Sequence, residues 1–179
     1  MQISPDQGQF MALMVRAIRA TNILEIGTYS GYSALVCALA MDKGRLITLD
    51  RDPVMTEVAM KFWKFANMDR IIELKLGNAL DSLDELLSSE ENIGSFDMIF
   101  IDADKRNYQA YYELCLKLIS NDGIILFDNV LWSGDVADPS NQEKDTVALR
   151  DLNQFLFNDN RVNISMIPVG DGITMVQKK

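Results

Sequence analysis

With 179 residues and ordinary hydrophobic content, the chain has the length for one domain with a full core, spanning 1–179, and too little for two. A net charge of −9 without a long acidic run argues against general affinity for nucleic acid or an anionic membrane, and no apolar segment reaches the length of a membrane span. Histidine is absent, which removes Ser-His-Asp and Cys-His catalysis and histidine-bound zinc, so any general base has to be Lys, Asp, Glu or Tyr.

In chain order, short β-rich apolar runs alternate with stretches of helical spacing. Strands are predicted at 23–26, 46–49, 71–76, 96–101 and 124–127, and helices at 32–41, 54–67, 79–89 and 108–120. Such alternation predicts an α/β fold, a parallel sheet with helices on both faces. The end differs: runs at 162–169 and 173–177 flank Gly170-Asp171-Gly172, a turn signal, so the sheet is expected to finish in an antiparallel hairpin. Cys37 and Cys115 fall in apolar, helix-like segments and read as buried, inert thiols. The ten methionines, Met11, Met14 and Met60 among them, read as flexible core filler. No signal peptide opens the chain, and the cytoplasm is the expected compartment.

The residues that close the parallel strands are Gly27, Asp50, Gly77, Asp102 and Asp128, small or acidic every time. In open α/β sheets ligands bind outside the carboxyl ends of the strands, so this edge is the expected ligand site. The first strand runs into Glu25-Ile26-Gly27-Thr28-Tyr29-Ser30-Gly31-Tyr32-Ser33, where glycines permit close backbone approach and helix-start amides can receive an anion. The spacing is Gly-x-x-x-Gly, unlike the Gly-x-Gly-x-x-Gly of dinucleotide sites. Glu25 would repel a pyrophosphate but can bind an ammonium, directly or through water. Asp50 can accept both hydroxyls of a ribose, and 77–79 can offer backbone groups to an adenine edge. A ligand with an amino-acid end and a nucleoside end is S-adenosylmethionine.

A carboxylate at the end of a buried strand is costly unless a cation stands beside it. Two such ends side by side would gather Asp102, Asp128 and the Asn129 amide around one point, an all-oxygen site suited to a hard divalent cation. Mg²⁺ is the first choice, with Mn²⁺ and Ca²⁺ sharing the same ligand chemistry. Lys105 follows closely enough to act as a base there.

Longer motifs carry a resemblance. The chain has Met-Gln-Ile-Ser-Pro-Asp-Gln-Gly-Gln at 1–9, Leu-Glu-Ile-Gly-Thr-Tyr-Ser-Gly-Tyr-Ser at 24–33, Ile-Asp-Ala-Asp-Lys at 101–105 and Asn-Tyr at 107–108. It also has Asp-Asn-Val-Leu-Trp-Ser-Gly at 128–134 and Pro-Val-Gly-Asp-Gly-Ile-Thr at 168–174. Over essentially its whole length it resembles the cation-dependent O-methyltransferases that include plant caffeoyl-CoA and animal catechol enzymes, and among them the bacterial members most. The resemblance implies a Rossmann-like class I methyltransferase domain with a mostly parallel seven-stranded sheet. It implies metal ligation by Asp102, Asp128 and Asn129, with Lys105 as the base. Glu25, Gly27, Thr28, Ser33, Asp50, Ala79 and Asp104 would line the cofactor pocket, Ile3 would touch the cofactor through its backbone, and Trp132 and Ser133, with Asp102, would meet the acceptor.

The implied activity is transfer of a methyl group from S-adenosylmethionine to a hydroxyl of a small catechol-like aromatic diol, in a homodimer with no nucleic-acid or membrane partner. Members of the family usually carry further helices ahead of the segment matching Met1, so a partly open acceptor pocket is expected. Two rivals stand beside this reading: a non-catalytic S-adenosylmethionine-binding protein of the same fold, and an NAD-binding oxidoreductase, disfavoured by the glycine spacing and by Glu25. Individual residues have plainer readings too. Asp104 would merely cap a helix, Lys105 would be a solvated surface lysine and Trp132 packing, while Tyr108, Tyr111 and Tyr112 read as core or interface.

Overall fold

The computed structural model describes residues 2–179. Seven strands, β1 (Asn22–Ile26), β2 (Arg45–Asp50), β3 (Ile72–Leu76), β4 (Phe96–Ile101), β5 (Ile119–Phe127), β6 (Val162–Ile167) and β7 (Ile173–Lys178), form one sheet in the order β3-β2-β1-β4-β5-β7-β6. β1 to β5 are parallel, and β7 runs antiparallel to both β5 and β6. The predicted α/β sheet with its antiparallel finish is therefore borne out.

Among the described residues six α-helices cover the sheet: α1 (Pro5–Ala17), α2 (Tyr32–Ala40), α3 (Pro53–Phe65), α4 (Ala79–Leu87), α5 (Tyr108–Leu118) and α6 (Lys144–Asn158). Strand alternation divides the core into two layers. Leu24, Ile26, Ile99, Ile101, Ile125 and Phe127 face α4, α5 and α6, packing on Leu83, Tyr108, Tyr112, Leu149 and Leu152. Ile23, Leu46, Met98, Phe100 and Leu126 face α1, α2 and α3, packing on Met11, Val15, Ala34, Cys37 and Trp63. Central strands buried on both faces have to be continuously apolar, which is why they read so clearly in the sequence. None of the described helices is long and apolar enough to cross a membrane.

Several features depart from expectation. Helices α1 and α6 add to those predicted, each with a buried stripe at helical spacing: Gln7, Met11 and Val15 in the first, Thr146, Leu149, Leu152 and Leu156 in the second. The run expected to stay helical to 120 leaves the helix at Leu118, because Ile119 turns extended and pairs with Phe96 across a register shift in β4. The strand expected at 162–169 ends at Ile167. Met60 is 45% exposed and so is not core filler, whereas Met11 is fully buried. Cys37 and Cys115 are buried and unbridged, and desolvation pushes both thiols well above their ordinary pKa.

What matters for the site is how the ladder ends. The register sets Ile26 level with Ile101, and Ile101 level with Phe127. The next residues stay in the ladder: the Asp102 N–H donates to the Ile26 carbonyl at 2.8 Å and the Asp128 N–H to the Ile101 carbonyl at 3.0 Å. Both aspartates therefore hang from the last rungs of neighbouring central strands.

Candidate active site

A cleft of about 920 Å³ opens at the carboxyl edge of the sheet, where strand order reverses between β1 and β4. Gly27, Asp50, Gly77, Asp102 and Asp128, the strand-end residues, all line it.

One half is built on the loop after β1. Gly27 has φ +102°, and a Cβ there would overlap the Asp102 carbonyl oxygen, so the loop can press against β4 only with glycine. Asp50 then clamps the loop. Its Oδ2 accepts from the Thr28 N–H at 2.9 Å and the Tyr29 N–H at 2.8 Å, and its Oδ1 accepts from the Asp52 N–H at 2.9 Å. A carboxylate offers about four acceptor sites, so most of those on Asp50 hold backbone, a role its sequence position did not reveal. Thr28, Ser33 and Ile3 line the same half, as does Ala79, the first helical residue after the Asn78 cap of α4.

Glu25, expected in the cofactor pocket, is 2% exposed and is not among the residues that line the cleft. Alternation along β1 turns it with Ile23 into the layer under α2. There the Thr48 hydroxyl donates to its Oε2 at 2.5 Å, and the Thr28 and Thr48 hydroxyls lie 2.6 Å apart, so a chain of hydroxyls runs from the cleft to the buried acid. Burial pushes the Glu25 carboxyl up to about 8, against the hydrogen bonds from Ser33 and Thr48 and with the help of the Asp102 and Asp50 charges.

Asp104 lines the cleft and makes no side-chain cap to the short 3-10 turn that follows it. Its carboxylate instead accepts from the Tyr111 hydroxyl at 2.5 Å and from the Asn107 amide. Burial and that carboxylate together raise the Tyr111 hydroxyl pKa.

The other half centres on Lys105, which is 8% exposed and so no solvated surface lysine. Its Nζ donates to Asp102 Oδ1 at 2.9 Å, to Asn129 Oδ1 at 2.6 Å and to the Tyr108 hydroxyl at 2.6 Å. Asn129 adopts φ +61°, a left-handed conformation that asparagine tolerates. Asp128 is 1% exposed and its Oδ1 accepts from the Asn129 N–H at 2.7 Å. Burial and the Asp102 charge push the Asp128 carboxyl up to about 6, while Gln7, the Asn129 N–H and Lys105 oppose the rise.

Tyr108 was read as core, and its ring does pack 5.8 Å from that of Phe127. Its hydroxyl, however, belongs to the site, bridging Lys105 Nζ and the Ile101 carbonyl. The clue was its place three residues after Lys105, at the strand-to-helix turn. Trp132 and Ser133 also line the cleft, on a loop where both are left-handed, with φ +48° and +55°. Asp171 at the hairpin tip holds that loop: its Oδ1 accepts from the Ser133 N–H at 2.7 Å and its carbonyl from the Leu131 N–H at 3.0 Å.

The donor chemistry suits a hard cation. Among the described residues no group of three or more Asp, Glu, Cys or His side chains gathers for a metal, so the available set is two carboxylates and one amide oxygen, hard donors only. Asp128, desolvated beside Asp102 with a single ammonium nearby, is a buried acid short of positive charge.

The whole chain, residues 1–179, matches the family described as O-methyltransferase. This chain belongs to the O-methyltransferase family. It is 46% identical to probable caffeoyl-CoA O-methyltransferase 1 of Dictyostelium discoideum, over 97% of this chain and 76% of that relative. It is 40% identical to the caffeoyl-CoA O-methyltransferase of Medicago sativa, over 99% of this chain and 75% of the relative. Among solved structures, the O-methyltransferase from Bacillus cereus in complex with SAH aligns with a TM-score of 0.92 at 35% identity, covering 99% of this chain and 83% of that one. The O-methyltransferase TomG from Streptomyces achromogenes, in complex with SAM, aligns at 0.90 and 30% identity, covering 99% and 82%. The class I fold expected from the motifs is thus borne out, and the chain is an S-adenosylmethionine-dependent O-methyltransferase.

Proposed function

We propose that this O-methyltransferase methylates one hydroxyl of a small vicinal aromatic diol, with Asp102, Asp128 and Asn129 holding a divalent cation and Lys105 serving as general base. The observation that carries the reading is the convergence of Asp102 Oδ1 and Asn129 Oδ1, from adjacent strand ends, on the buried Lys105 Nζ. Several relatives are named caffeoyl-CoA O-methyltransferases, and a caffeoyl ring bears two adjacent hydroxyls, which supports the acceptor class. Mg²⁺ is the proposed ion, with Mn²⁺ and Ca²⁺ as substitutes of like ligand preference.

When bound, the cation supplies a Lewis acid that lowers the pKa of a phenolic hydroxyl from about 10 towards neutrality. The protein's own part is alignment and proton transfer. Lys105 Nζ is the proposed acceptor of the substrate's hydroxyl proton, and the Tyr108 hydroxyl and the Asn129 amide oxygen hold that nitrogen at the cleft floor. Methyl transfer to oxygen is an in-line displacement for which orientation is the main requirement. Asp50 and Asp104 are the proposed partners of the donor's nucleoside, Gly27, Thr28 and Ser33 of its amino-acid end, with Ile3 and Ala79 completing that wall. Glu25 acts from below, through Ser33 and Thr48. Trp132 and Ser133 face the acceptor. The enzyme is read as a cytoplasmic homodimer acting on a small molecule, and its net charge of −9 supports the absence of a nucleic-acid partner.

The test is methyl transfer to catechol and to caffeic acid with Mg²⁺, repeated in EDTA. Activity on the diol that EDTA abolishes and Mg²⁺ restores is the expected result. Activity unchanged by EDTA would remove the metal from the mechanism, and no methylation of any diol despite bound donor would favour the non-catalytic alternative.

A further inference from the structure

We infer that Arg150 is a positioning residue that keeps the wall bearing Trp132 and Ser133 in shape for the acceptor, an inference that rests on the acceptor side proposed above. That wall belongs to the stretch 128–143 between β5 and α6, which forms no strand. Backbone carbonyls outside sheet and helix need side chains or water as partners, and here α6 supplies the side chains. Arg150 Nε donates to the Val136 carbonyl at 3.0 Å, and its Nη2 donates to the carbonyls of Asp138 at 2.7 Å and Asn141 at 3.1 Å. Asn153, one helical turn further on, donates from Nδ2 to the Val130 carbonyl at 2.8 Å.

Two observations separate this arginine from a solvated surface residue. Among the described residues its guanidinium makes no ion pair, and its three hydrogen bonds all go to carbonyls of one loop. A planar fork can span acceptors set apart along a chain, which the point charge of a lysine covers less well. The loop is also strained: Trp132, Ser133 and Gly134 follow one another at φ +48°, +55° and +93°. Non-glycine residues keep such conformations only where the surroundings over-determine them, often at ligand clamps. The hairpin fixes the upstream end, through Asp171 to Leu131 and Ser133. Arg150 fixes the downstream end, beginning at Val136.

Within the span so held are Trp132, Ser133 and Asp135, which line the cleft. The Trp132 ring centre lies 5.7 Å from Lys105 Nζ, so its setting defines the gap between this wall and the proposed base. The Arg150 contacts lie apart from the loop after β1, which Asp50 clamps on the proposed donor side. Losing the downstream anchor therefore loosens the acceptor wall and leaves the donor side as it was.

The experiment compares the full chain with Arg150→Met, which keeps an unbranched apolar stem and removes the donors. The readouts are KM and kcat for catechol with saturating S-adenosylmethionine and Mg²⁺, S-adenosylhomocysteine affinity by calorimetry, and acrylamide quenching of tryptophan fluorescence. The chain has two tryptophans, and with Trp63 only 2% exposed the quenching reports on Trp132. The expected result is a kcat/KM for catechol lowered about ten- to a hundredfold, mostly through KM, with S-adenosylhomocysteine affinity unchanged and Trp132 more readily quenched. Should Arg150→Met fail to fold, Arg150→Lys is expected to move KM and quenching the same way by a smaller amount. Parent-like KM and quenching in a folded variant would overturn the role of Arg150. An equal loss of S-adenosylhomocysteine affinity would overturn it too, because the arginine would then support the fold at large. A parent that methylates no diol, with quenching still raised in the variant, would overturn the acceptor reading alone and leave Arg150 as the anchor of this wall.

Discussion

The buried Glu25 should make the ligand-free protein lose stability as pH rises through neutrality. In the folded chain desolvation holds its carboxyl near 8, whereas its ordinary value is 4.5. The folded carboxyl keeps its proton up to about pH 8 while the unfolded one releases it near 4.5. Between those values the unfolded state binds fewer protons, so stability falls with rising pH. The contribution is fully present below about 4.5 and gone above about 8. At about 1.4 kcal/mol per pH unit the gap amounts to at most about 5 kcal/mol, with no discount for solvent screening because the side chain is almost wholly buried. Glu25→Gln supplies the comparison: a neutral side chain of the same shape, whose carbonyl can still accept from the Thr48 hydroxyl. The assay is urea unfolding of the metal-free, cofactor-free protein followed by tryptophan fluorescence, at intervals from pH 5 to pH 9. The difference between parent and variant should shift by several kcal/mol in favour of the variant over that range. Parallel curves would refute the reasoning, since Glu25 would then gain and lose its proton at the same pH whether folded or not.

Two further substitutions probe the site and its support. Lys105→Met is expected to keep S-adenosylhomocysteine binding by calorimetry while turnover falls about a hundred- to ten-thousand-fold, the usual worth of a general base; an unchanged kcat takes Lys105 out of that role. Gly31→Ala forces a side chain into φ +75° with its Cβ 2.5 Å from that of Ala59 and 2.6 Å from Trp63 Nε1. Left-handed strain of about 1–2 kcal/mol and overpacking of about 1–3 kcal/mol should lower stability by about 2–5 kcal/mol, and a denaturation midpoint equal to that of the parent would contradict this account.

The sheet edge that carries the cleft was legible because parallel strands buried on both faces read as unbroken apolar runs, so each run's polar terminus marks the edge. Asp102, Asp128 and Asn129 could be brought together in thought because β4 and β5 are consecutive and adjacent, the common arrangement in such sheets. Depth was harder to read. Glu25 sits in a motif that suggests contact with ligand, but the two-residue period of β1 puts it one layer down, behind Ser33 and Thr48. The burial of Lys105 was equally hidden, since a lysine gives no sign of it without its Asp102, Asn129 and Tyr108 partners. Helix α1 escaped notice because its inward stripe contains Gln7 and Gly8, polar and small residues that weaken the apolar signal. Asn121-Asp122-Gly123 reads as a turn, and this concealed the first half of β5.

The loop bearing Trp132 and Ser133 leaves β5 directly after Asp128 and Asn129, where the Trp132 N–H donates to the Asn129 carbonyl at 3.2 Å, and it is held as well by the hairpin tip through Asp171. One wall of the cleft thus answers to more than one stretch of polypeptide. On the proposed function, variation in the hairpin turn would reshape the wall assigned to the acceptor while Asp102 and Asp128 stay in place, so selectivity and reactivity would be free to drift apart over a lineage.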